Sequence, residues 1–115
     1  MIDADVIRGI LSQYVKFGWR LHHVLISDRL KNDLGKSVSG VFGDVRVIDS
    51  DIDGAWFSRS AENGRLALEL RSLGAVPFAL VDSAESGASE TELEDVFTRT
   101  EQEMRERLLT QPRTH

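Results

Sequence analysis

The chain has 115 residues, 41% hydrophobic and 29% charged, with a formal net charge of −5. That length and balance fit one globular domain with a cooperative core and leave no room for a second core or for extensive disorder. The absence of cysteine excludes disulfides, thiolate nucleophiles and cysteine-held metal centres, and leads us to expect a reducing, cytoplasmic setting.

Met1-Ile2-Asp3-Ala4-Asp5 has neither the basic start nor the apolar run of a signal peptide. No apolar stretch approaches the ~20 residues of a membrane span. The first helix is expected from Asp3 to Phe17, with Asp3 as N-cap and Gly18 closing it. Val6, Ile7, Ile10, Leu11 and Tyr14 recur at helical spacing and form its core-facing stripe.

From Trp19 to Ile26 the period changes to two, placing Trp19, Leu21, His23 and Leu25 opposite Arg20, His22, Val24 and Ile26. Both sides are apolar in the centre, the pattern of an interior strand. Ser27 caps a short helix, Asp28 to Leu34, closed by Gly35. Lys36 to Gly43 reads as a loop and Val45 to Ile48 as a strand.

Ala55 to Ser60 and Arg65 to Leu73 flank Asn63-Gly64, the preferred dipeptide of a two-residue hairpin turn. Counting outward pairs Phe57 with Leu70 and Trp56 with Arg71. One face then carries Phe57, Leu66, Leu68 and Leu70, and the other Trp56, Ser58, Glu69 and Arg71. Val76 to Val81 is a further strand, and Asp82 to Ala88 reads as a linker.

Ser89-Glu90-Thr91-Glu92 matches a capping box for a last helix reaching Leu109. Leu93, Val96, Phe97, Thr100, Met104 and Leu108 form its inner stripe. Asp95–Arg99, Glu101–Arg105 and Glu103–Arg107 are acid-first pairs on its outside. Residues 111–115 are a frayed tail.

The expected fold is one α+β domain over residues 1–110, in the order α-β-α-β-β-β-β-α. Its five-stranded sheet is mostly antiparallel, with helices packed mainly on one face. The acidic balance and scattered basic residues speak against nucleic acid as a partner.

Asp49-Ser50-Asp51-Ile52-Asp53-Gly54 matches the D-x-D-x-D-G opening of a calcium loop, in which alternate carboxylates converge on one hard cation. Asp49, Asp51 and Asp53 are therefore the candidate calcium or magnesium ligands. The twelfth loop position is Ser60 in place of the bidentate glutamate, and strands flank the turn in place of helices. A plain turn, with Asp side chains capping backbone N–H groups, accounts for the same residues.

Asp53 followed by Glu69-Leu70-Arg71 resembles the acid-plus-E-x-K pattern of the PD-(D/E)xK nuclease-like fold. The resemblance covers the hairpin alone and implies a magnesium-dependent hydrolase with Asp53 and Glu69 as ligands. Arg71 stands where that family has lysine, and arginine does not readily lose a proton.

His22 and His23, adjacent on a strand, are expected on opposite faces. There is no G-x-S-x-G elbow, phosphate-cradling loop or dinucleotide fingerprint. With no convergent catalytic set, the leading expectation is a non-catalytic interaction module that forms a homodimer. It would use the Trp56, Ser58, Glu69 and Arg71 face or an exposed strand edge, without a cofactor. The alternative is a divalent-cation protein at the acidic turn.

Overall fold

The computed structural model describes residues 3–74 and 76–110; the expected tail at 111–115 lies outside them. Helix α1 (Ala4–Lys16) begins at Asp3, whose carboxylate accepts the Val6 N–H at 2.9 Å. Strand β1 (Arg20–Ile26) leads into α2 (Asp28–Leu34), where the Ser27 hydroxyl accepts the Leu30 N–H. The stretch read as a loop instead forms a 3-10 turn (Gly35–Ser37) and a one-turn helix α3 (Val38–Phe42). Burial of Val41 and Phe42 draws it onto the core.

Strands β2 (Arg46–Asp49), β3 (Gly54–Ser60), β4 (Arg65–Ser72) and β5 (Ala79–Glu85) complete one sheet, ordered β2-β1-β3-β4-β5. The order of elements and the α+β class are as expected, and β1 is an interior strand. The sheet is mixed: β1 and β2 are parallel, and the other three pairs are antiparallel. Strand β5 extends through the stretch read as a linker, because Asp82, Ser83, Ala84 and Glu85 all pair with β4. Ladder pairing overrides the weak strand preference of those residues.

Three helices share one face, and the longest, α4 (Glu90–Thr110), covers the other. Ile7, Leu30, Leu34 and Phe42 pack with Val24, Ile26, Ala55 and Phe57 on the first face. On the second, Phe97 and Met104 of α4 pack with Leu25, Trp56, Leu68 and Leu70. Ser89 caps α4 by accepting the Glu92 N–H at 3.2 Å.

Of the three expected acid–base pairs along α4, Glu103–Arg107 forms, at 3.9 Å. Arg99 and Arg105 instead reach off the helix, to Asp82 of β5 at 3.0 Å and Asp51 of the acidic turn at 2.7 Å. The helix is thereby fastened to both ends of the sheet.

The hairpin register differs from the expected one by a single residue. Ser58 faces Leu68, Phe57 faces Glu69 and Trp56 faces Leu70. The loop holds three residues, Glu62, Asn63 and Gly64, with Asn63 at φ 64° and the Ala61 N–H donating to the Arg65 carbonyl. Because side chains alternate with period two, one extra loop residue transfers a whole strand to the other face. Trp56 is consequently 0% exposed, beneath α4.

This register makes Trp56 a core residue, and truncating it measures the difference. Trp56→Ala should lower unfolding free energy by about 3–5 kcal/mol, the cost of emptying a packed aromatic site. A tryptophan on a solvated sheet face would lose only about 0.5 kcal/mol. Urea denaturation of the two chains distinguishes the registers.

Candidate functional site

The four residues expected to form an interface are divided by the sheet. Trp56 and Ser58 face α4, whereas Glu69, opposite Phe57, and Arg71, opposite Ala55, face the α1 side. Trp56 donates its indole N–H to Glu101 at 2.9 Å and packs on Phe97 with ring centroids 4.7 Å apart. It has no surface left to offer a partner.

Glu69 and Arg71 instead belong to a stretch of sheet that the helices leave open. The first core groups α1, α2 and α3 with β1 and β3, while β5 shows Ala79, Val81, Ser83 and Glu85 as exposed on the open side. Val81 is 74% exposed and pairs with Glu69. Tyr14 of α1 borders this shelf. Its ring stacks on Phe57 at 3.9 Å and its hydroxyl donates to Glu69. Burial, and then the neighbouring Glu69 carboxylate, push the Tyr14 hydroxyl's pKa upward. A recess of about 250 Å³ lies there between Tyr14, Phe17, Trp19 and Glu69, with Phe17 63% exposed.

The outer edge of β5 is blunted in its centre. The Ser83 N–H donates to the Asp82 carboxylate at 2.8 Å, and the same carboxylate accepts from Arg99 and Thr100. A side chain thus occupies a donor that an added strand would need, a common protection of sheet edges.

The acidic turn spreads its carboxylates outward, two to α2 and its cap and one to α4. Asp49 is paired with Lys31 of α2, and Asp51 with Arg105 of α4. Asp53 accepts the Ser27 backbone N–H at 2.6 Å and hydroxyl at 3.1 Å. This orients the hydroxyl that caps α2. Gly54 has a packing reason to be glycine, since a Cβ there would stand 2.8 Å from Leu70 Cδ1. Among the described residues, no three His, Asp or Glu side chains group to hold a metal ion.

Asp53 and Glu69 are also kept apart. Asp53 aligns with Leu73, four residues along β4 from Glu69, or about 13 Å at strand spacing. The hairpin therefore does not assemble the nuclease-like carboxylate pair.

The histidines depart from expectation in the opposite sense. The β1–β3 register shifts between Leu21 and His23, so an extra residue of β1 bulges where strict alternation would have separated the two rings. Both imidazoles come to the α4 side, with Nδ1 atoms 2.7 Å apart and ring centroids 5.3 Å (His22) and 4.9 Å (His23) from Phe97. They line a cleft of about 290 Å³ between the β1–β2 ladder and α4, together with Arg46, Glu94 and Glu101. Nothing local in the sequence announces the bulge, whose cause is the pairing of β1 with β3.

Burial pushes the His23 pKa down to about 4, helped by His22 and Arg46. Burial also lowers that of His22, which Arg46 lowers further and Glu94 opposes. The Glu101 carboxyl is pushed above the usual range by burial, against the Trp56 indole N–H and Arg105.

A neutral His23 in the fold makes a pH prediction. Below its ordinary pKa of 6.5 the unfolded chain binds a proton that the folded chain resists until about pH 4. Its contribution to stability is therefore complete above pH 6.5 and is lost as pH falls toward 4. The stability difference between wild type and His23→Gln should be flat above pH 7 and shrink across that window. Thermal melts at matched pH check it; a constant difference would show that folding leaves the His23 pKa where it is in the unfolded chain.

Comparison with known proteins finds no matching family model, no matching curated protein and no matching solved structure.

Proposed function

We propose that this domain is a protein-interaction module that pairs with a second copy of itself through the open half of its sheet beside α1. The observation that carries this reading is the uncovered β4–β5 surface, where 74%-exposed Val81 sits against Glu69 and near Arg71. A large apolar side chain within a mixed-charge shelf is characteristic of interfaces whose core is apolar and whose specificity is polar.

Self-pairing follows from the order of the charges. Glu69 and Arg71 are two apart on β4 and share a face, so a twofold axis near them sets each glutamate against the other copy's arginine. Tyr14 engages one oxygen of Glu69 and leaves the other available. The Arg71 guanidinium donates to the Ser72 carbonyl and keeps further N–H groups for a carboxylate. Phe17, at the rim, adds apolar area.

The contact uses the face of the sheet, because the β5 edge is already capped by Asp82. The acidic turn contributes by fastening α2 and α4. Its carboxylates act here as structural partners for those helices.

Sedimentation equilibrium tests the pairing. Wild type is expected to weigh as a dimer at concentrations up to about 1 mM, the weakest association worth the name here. Val81→Glu and Arg71→Glu should each raise the dissociation constant about tenfold or more. Exchanging both charges in one chain, Glu69→Arg with Arg71→Glu, should recover most of the Arg71→Glu loss, since the exchange restores opposite pairing across the axis. A monomeric wild type, or a dimer indifferent to all three variants, would overturn the proposal.

A further inference from the structure

The cleft beside the histidine pair lies on the other face of the sheet from the proposed dimer surface, and its two walls differ in charge. On the sheet side Arg46 of β2 stands beside His22 and His23, whose rings Arg46 influences electrostatically. On the helix side stand Glu94 and Glu101 of α4. Phe97 and neighbouring aliphatic side chains supply an apolar lining.

These groups are not equally engaged. Glu101 accepts the Trp56 indole N–H. The Arg46 guanidinium and the Glu94 carboxylate, by contrast, have no hydrogen-bond or ion-pair partner among the described residues. In the hydrogen-bonded imidazole pair one Nδ1 donates and the other accepts. For neutral rings this leaves one Nε2–H donor and one Nε2 lone pair beside the cleft.

A purely anionic ligand would satisfy Arg46 and oppose Glu94; a purely cationic one would do the reverse. A molecule with both charges at opposite ends satisfies both walls, which is the usual form of electrostatic complementarity. A volume of about 290 Å³ limits it to a small molecule.

We propose that this cleft binds a small zwitterion of amino-acid size, its carboxylate against Arg46 and an imidazole N–H, its protonated amine against Glu94, and any apolar chain over Phe97. Filling the cleft offsets Arg46, which lowers the His22 titration, and also Glu94, which raises it, so the two effects on that ring oppose each other. The groups governing that titration are His23 on β1, Arg46 on β2 and Glu94 on α4.

The probes are glycine and L-leucine, with 4-methylvalerate and isopentylamine as the one-ended analogues of leucine. Binding is read from the ring-proton resonances of His22 and His23. At least one zwitterion should bind saturably, L-leucine about tenfold or more tighter than either analogue. Arg46→Gln and Glu94→Gln, both at exposed positions, should each reduce L-leucine to the level of a one-ended analogue while leaving the melting temperature unchanged.

Absence of saturable shifts with both zwitterions would overturn the proposal. So would equal binding of L-leucine and 4-methylvalerate, which would show Glu94 to be idle. Saturation of the two rings by zinc chloride, with neither zwitterion binding, would assign the histidine pair to a metal instead.

Discussion

The three-residue turn at Glu62–Gly64 decides which side of the sheet every residue of β3 and β4 occupies. With Asn63 in the left-handed region, the loop closes on an Ala61–Arg65 hydrogen bond, and the ladder behind it follows from that closure. Trp56, Leu68 and Leu70 then face α4, while Phe57 and Glu69 face α1. Asparagine is suited to this position because its short polar side chain tolerates positive φ. Without the third loop residue, Glu69 and Arg71 would lie beneath α4, unpaired charges in an apolar layer.

With that register in place, the sheet is a middle layer and α4 becomes indispensable. The helix buries Phe97 and Met104 against the sheet, and polar contacts add to that apolar hold. It is held at three levels: Arg99 and Thr100 on Asp82, Arg105 on Asp51, and Glu101 on the Trp56 indole. The last of these also satisfies the only donor of the largest buried side chain, a group that would be costly to bury unpaired. Of the calcium-like turn, Asp49 and Asp51 are taken up by ion pairs and Asp53 by hydrogen bonds from Ser27.

Two irregularities remain once the regular contacts are counted. The β1 bulge brings both imidazoles under α4 and opens the charged cleft beside them. The short α2–α3 segment stays over β1 and β2, so on the α1 side β5 is left exposed and β4 only partly covered, with Tyr14 reaching Glu69. The two surfaces lie on opposite faces of the sheet. One presents fixed charges around a small volume, suited to a small molecule; the other is broad and shallow, suited to a macromolecular partner.

What the sequence determined by itself is the local order. Asp3, Ser27 and Ser89 cap helices through bonds spanning three residues, and the double apolarity of Val24, Leu25 and Ile26 marks an interior strand. These features depend on neighbours within one turn or one strand, so they are readable without the rest of the molecule. Three others were settled by long-range pairing: the hairpin register, the strand character of Asp82 to Glu85, and the common side of His22 and His23. The destinations of Arg99 and Arg105 belong with them. The physical reason is the period of two in a strand: a shift of one residue costs little in local preference yet exchanges core for surface along its whole length. Only the partner strand and the helix packed upon it can choose between the alternatives.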